Sequence, residues 1–157
     1  MRLNWPELLI NYSPTLEASI TCVIANKYRA GYEEYFFEVM VRLKHPTGYF
    51  EYFVDHLCFE QDAFGRFAGE LRNIQQGAAD HAALFNVGET LAFRLNTSGR
   101  KLHLTLTIRE FVPPDVSTHL SHTMDVDYDL FVNTLPIAVE EFAQSLRAVD
   151  CTPLDRP

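Results

Sequence analysis

Apolar and polar positions alternate along most of this chain. The clearest case is "KLHLTLTIREF", Lys101–Phe111, where Leu102, Leu104, Leu106 and Ile108 share one parity and His103, Thr105 and Thr107 the other. A period of two sends successive side chains to opposite faces, so the segment predicts a half-buried strand. The same signal predicts strands over Ala18–Arg29, Glu34–Leu43, Tyr49–Phe59 and Thr90–Asn96, with a short segment around "AALFNV" before the last of these. "STHLSHTMDVDYDLF", Ser117–Phe131, predicts the final strand: Leu120, Met124, Val126 and Tyr128 oppose His119, Thr123, Asp125 and Asp127. Two stretches change period. In Glu60–Gly77, Phe64, Phe67, Ala68, Leu71 and Ile74 recur at three- and four-residue spacing, which makes a helix with Gly77 as its stop. Gly65 and Gly69 inside it imply close packing against a neighbour. Leu135, Val139, Phe142 and Leu146 form the stripe of a second helix, with Thr134 as N-cap, Pro136 in the first turn, and Asp129–Asn133 as a separate preceding turn.

Short turns between consecutive strands imply antiparallel pairing. Phe37, Val39, Val41 and Leu43 are expected opposite His56, Val54, Tyr52 and Phe50, which also sets Arg42 against Glu51 and Glu38 against Asp55. Further on, Arg94 is expected beside His103 and Asn96 beside Lys101, while Arg109, His103 and Lys101 face His119, Asp125 and Asp127. The expected fold class is α+β: one curved antiparallel sheet of six or seven strands with two helices packed against it, in the order βββαββββα. At 157 residues the chain suits a single domain, 1–157, with an N-terminal segment 1–17 and a C-terminal tail 149–157.

Charge narrows the function classes. The net charge is −8. Residues 110–157 hold nine acids and two bases, a net of −7. Such a surface argues against nucleic acid as a direct ligand and suits a basic protein partner. No apolar run has the length of a membrane span or a signal-peptide core, so the chain reads as cytoplasmic and unprocessed, with no membrane partner. Cys22, Cys58 and Cys151 are odd in number and widely spaced, which fits neither a disulfide framework nor a zinc knuckle. Cys22 and Cys58 read as small core residues.

The one cluster with chemical promise is His119, His122, Asp125, Asp127 and Asp129. "DVDYD" opens like a calcium-binding loop, but Leu130 stands where that loop needs Gly and Pro136 where it needs Glu. The two histidines, three apart on a strand, point to opposite faces. Asp125 and Asp127 have the spacing of a carboxylate pair, without any sign of a cleft. No nucleophile, phosphate-loop or dinucleotide motif occurs. The expectation is no catalytic residue, no metal and no cofactor. Asp125, Asp127, Asp129, Glu140 and Glu141 are instead the candidate acidic surface for a protein partner. Seven aromatics between Tyr35 and Phe53 pose a second question. One sheet face accounts for some; Phe36, Met40 and Phe53, with Leu57, fall on the other. That face is either covered by a second layer, such as the segment holding Trp5, or left as a contact for a partner or a homodimer.

Taken in order, the aromatic pair "YFFEVMVRL" and "GYFEYFVDHL", the helix "DAFGRFAGELRNI", then "LAFRLNTSGRKLHLTLTI" and "MDVDYDLF" leading into "LPIAVEEFAQSL" resemble the WapI-type family of small bacterial immunity proteins and related uncharacterised bacterial proteins. The resemblance spans roughly residues 18–148. Members typically end the last strand in an Asp-Gln-Thr-Tyr-Leu-like turn; here Asp127 matches the Asp, Phe131 takes the final apolar place, and Tyr128 and Asp129 replace Gln and Thr. The resemblance implies a non-enzymatic protein that binds and neutralises a cognate toxin domain. Two other expectations stand beside it: a homo-oligomeric α+β protein of structural or small-ligand-binding role, and a metal-dependent hydrolase built on the His/Asp cluster.

Overall fold

The computed structural model describes residues 5–12, 15–28, 31, 33–60, 62–99, 101–112, 116–149 and 152–154. The chain is α+β and divides into two compact units, Met1–Gln61 with Glu141–Pro157, and Asp62–Glu140. Each holds its own antiparallel sheet, so the single curved sheet expected from the alternation is replaced by two. Alternation specifies local hairpins only. After the fourth strand a helix intervenes, and the next strand starts a new sheet.

In the first unit, β1 (Glu7–Tyr12), β2 (Leu16–Tyr28), β3 (Glu33–His45) and β4 (Gly48–Phe59) pair in sequence order. A short strand from the chain's end, β9 (Thr152–Leu154), runs parallel to Asn26–Tyr28 of β2. Within the N-terminal segment, residues 7–12 therefore join the sheet as a strand. Leu8, Ile10, Leu16, Ile20, Phe37, Val39 and Val41 are buried on one face. Phe37 sits at the centre of this layer, edge-on to Phe59 with ring centroids 5.3 Å apart, and 6.1 Å from Phe142.

The hairpin of β3 and β4 keeps the expected register from His45–Gly48 to Val39–Val54, then shifts. Phe37 pairs with Leu57, not His56, because Asp55 and His56 together oppose the single residue Glu38. His56 takes φ 56° to make this bulge. An unbroken ladder would set Glu38 against Asp55, a like-charge pair. The bulge reverses the parity of the residues beyond it. Leu57 is therefore buried with Phe59 and is not on the outer face, while Cys58 lies half-buried opposite Phe36 and not in the core. Burial, with Glu34 nearby, raises the Cys58 thiol above its ordinary value. Cys22 is a core residue as expected; Cys151 lies outside the described residues.

In the second unit, α1 (Ala63–Gln75) buries the predicted stripe of Phe64, Phe67, Ala68, Leu71 and Ile74. It ends at Gly77, whose φ of 72° turns the chain out of the helix while Ala78 N–H reaches back to the Asn73 carbonyl at 2.8 Å. Gly65 and Gly69 do not mark close packing: a methyl at either would meet nothing within 4 Å. β5 (His81–Phe85), β6 (Leu91–Ser98), β7 (Lys101–Val112) and β8 (Val116–Val126) form the second sheet in order.

The β7–β8 ladder has the expected register throughout, from Val112–Val116 to Leu102–Val126. The β6–β7 register differs by two from expectation, because β6 closes at Ser98 opposite Lys101 and Gly99 takes φ 63° in the two-residue connection. Asn96 thus faces His103, and Arg94 faces Thr105.

The second helix, α2 (Leu135–Arg147), has no cap at Thr134. A π-helical turn, Asp129–Thr134, runs directly into it, and Leu135 N–H bonds to the Leu130 carbonyl five residues back. Pro136, with no N–H, follows at once. It sits where the α-helical ladder is already interrupted, so its ring costs less there than in a regular helix.

Candidate partner-binding surfaces

Across the open face of the first sheet the register aligns one residue from each strand: Leu9 with Ser19, Ser19 with Met40, and Met40 with Phe53. Leu9 and Phe53 are each 61% exposed, and Met40 between them is half-buried. Phe36, four residues before Met40 on the same face, is half-buried beside Ile24 and Cys58. The three apolar residues expected here share that face. Leu9 and Ser19 complete the row; "ELLINY" carried the signal in its alternation, since Leu8 and Ile10 are buried and Leu9 is left outward.

Charged rows flank this apolar one. On one side Asn11, Glu17, Arg42 and Glu51 are successive partners. Arg42 donates Nε and Nη2 to Glu51 Oε2 at 3.0 and 2.7 Å, lies 3.8 Å from Glu17, and stacks 5.7 Å over the ring of Tyr49. The Glu51 hydrogen bond raises the Arg42 guanidinium further above its already high value. On the other side, Glu7, Thr21 and Glu38 are aligned. The strands carry six acids on this face, Glu7, Glu17, Glu34, Glu38, Glu51 and Asp55, against two bases, Arg42 and Lys44.

The acidic residues chosen from sequence are mostly engaged inside the chain. Asp125 pairs with His103, Oδ1 to Nδ1 at 2.7 Å, as the register requires. Asp127 lies beyond the last rung and does not face Lys101. Its Oδ1 accepts Leu130 N–H at 2.9 Å, capping the π-helical turn. An Asp just ahead of a helical turn, accepting a backbone N–H three residues on, is a local side-chain turn whose residue type is legible in the sequence. Asp129 accepts Asn133 Nδ2 at 2.6 Å. Glu140 takes a fork from Arg72 of α1, Nε to Oε1 at 2.9 Å and Nη2 to Oε2 at 3.0 Å, which holds its carboxyl below the usual range. Glu141 is exposed, and its backbone carbonyl accepts Ser145 Oγ at 2.8 Å.

His119 and His122 stand on opposite faces of β8, and among the described residues no three His, Cys, Asp or Glu side chains converge as a metal site would require. A cleft of about 610 Å³ in the second unit is bordered by Asp80, Thr97, Gly99 and Tyr128. Asp80 is committed within the chain: its carbonyl accepts Thr97 N–H at 2.8 Å, and its carboxylate pairs with His81 at 2.9 Å. That pair lowers the acid and raises the imidazole from their ordinary values. Among the described residues, no helix is long and apolar enough to cross a membrane. No family model, curated protein or solved structure matches this chain.

Proposed function

We propose that this chain is a non-enzymatic binding protein of the immunity type, which captures and neutralises a cognate bacterial toxin domain. The observation that carries the reading is the row Leu9–Ser19–Met40–Phe53, three apolar residues interrupted by one serine, with exposed ends and bordered by acids. An apolar centre inside a charged rim is the anatomy of a protein contact. The excess of acid on this face, and the net charge of −8, suit a partner with a basic surface, such as a nuclease domain. The sequence resemblance points the same way. Glu141 is exposed and adds to the negative charge of the first unit, whereas Asp127, Asp129 and Glu140 are engaged within the second.

The test begins with the neighbouring reading frame. A large secreted toxin encoded beside this gene, whose C-terminal domain binds the purified chain, supports the reading; a metabolic neighbourhood and no such complex overturn it. In the complex, Phe53→Asp is expected to weaken binding by at least about tenfold, since a central anchor contributes about 2 kcal/mol or more. Glu51→Lys should act mainly through a flatter salt dependence. A dimer of the chain alone that Phe53→Asp dissolves would instead assign this face to self-association.

A further inference from the structure

We infer that β8 is a self-complementary sheet edge through which two copies of this chain join their second sheets. β8 ends the order β5-β6-β7-β8, and among the described residues it has no strand on its other side. Its ladder with β7 runs eleven rungs without a bulge. An edge that long and regular presents a row of unused backbone donors and acceptors, which proteins ordinarily blunt. The opposite edge is blunted: Glu70 of α1 accepts Ala83 N–H of β5 at 2.8 Å. The last strand of the first sheet is blunted too, by the Asp55–His56 bulge.

The side chains select the occupant. Leu120 and Met124 lie on the core-facing side of β8 yet are only half-buried, and His122 between them is exposed. On the other side His119, Ser121, Thr123 and Asp125 are all exposed. When a second β8 is laid antiparallel about a two-fold axis through His122, His122 faces its own copy and the three positions on either side of it meet suitable partners. Leu120 faces Met124, Ser121 faces Thr123 and His119 faces Asp125, each twice by symmetry. The outer row then reads Arg109, His119, Asp125 and His103 across the junction, with a carboxylate between two imidazoles. Sliding by two residues one way sets His119 against Thr123 and Leu120 against His122; sliding the other way sets Met124 against His122 and carries His119 past the end of the strand to Asp127, whose carboxylate already accepts Leu130 N–H. The strand therefore specifies its own register, which an arbitrary partner strand would not share.

Light scattering of the intact chain at about 100 µM should give twice 18.0 kDa. His119→Asp sets two carboxylates together at each end of the junction, and Asp125→Arg sets cations together. Each variant alone should weaken the dimer by at least about tenfold, and an equimolar mixture should restore it, because each supplies what the other lacks. His122→Cys, with Cys58 and Cys151 replaced by Ser, should form an interchain disulfide under mild oxidation, since residues paired on the axis are within disulfide reach. Circular dichroism identifies any variant that fails to fold, and the His122→Cys crosslink is read independently of the two charge variants. A monomer at every concentration, a dimer indifferent to both charge variants, or no crosslink from His122→Cys overturns the proposal.

Discussion

The two sheets of this molecule solve the same problem in different ways. The first shifts register twice, between Cys22 and Ile24 on β2 and opposite Glu38 on β4. The second shows no shift among its described residues. Where the ladder bulges, parity reverses mid-strand, and an apolar residue such as Leu57 goes inward against the alternation. Where it does not, strict alternation fills one face with Leu102, Leu104, Leu106 and Ile108 and gives the other to polar groups. Irregularity thus lets the first sheet bury both Phe37 and Phe59 on one side. Regularity leaves the second with a straight edge.

The largest effect should come from breaking the aromatic layer that the bulge assembles. Phe37→Ala removes a fully buried ring that meets Phe59 and Phe142, and should cost about 3–5 kcal/mol in urea unfolding. A cost below about 1 kcal/mol would mean the bulge does not bring those rings together. A sharper contrast uses one substitution at two places. His56→Gly relieves a positive φ and should stabilise by up to about 1 kcal/mol. Thr105→Gly, in the regular ladder where Thr105 Oγ1 lies 2.9 Å from Thr123 Oγ1, should destabilise by about 1 kcal/mol. Equal signs would erase the distinction between the sheets.

The smallest effect concerns acid. Arg72 holds the Glu140 carboxyl below its ordinary value of 4.5, so this contact contributes fully above the unfolded value and is lost as pH falls through the lowered folded one. Glu140→Gln should therefore flatten the dependence of urea midpoint on pH below about 4.5, with little change in that slope near neutrality.

Legibility in the sequence divides along the same line. The β7–β8 register was legible because nothing interrupts its period, so parity alone sets every rung. The β3–β4 register was legible only as far as Val39, because parity cannot show that His56 turns left-handed. The number of sheets was not legible, since alternation says which residues pair locally and not whether distant strands meet. The engagement of the acidic residues was not legible for another reason. Charge is read from residue type, but Asp127 and Asp129 are spent on a helical turn within a few residues, and Glu140 on an arginine 68 positions away. The π-helical turn itself was hidden by Pro136, which reads as a first-turn residue after a cap and instead comes just after a widened turn.

The hydrogen bond from Ala83 N–H to Glu70 acquires a meaning at the scale of assemblies. A sheet with two open edges can add copies at both and grow into a filament. Glu70 makes the second sheet one-ended: a strand arriving at β5 would have to displace a charged acceptor and meet its negative charge. Joined edge to edge through β8, two such sheets expose only their closed ends. In the proposed dimer, growth would stop at two, by a single carboxylate on a neighbouring helix.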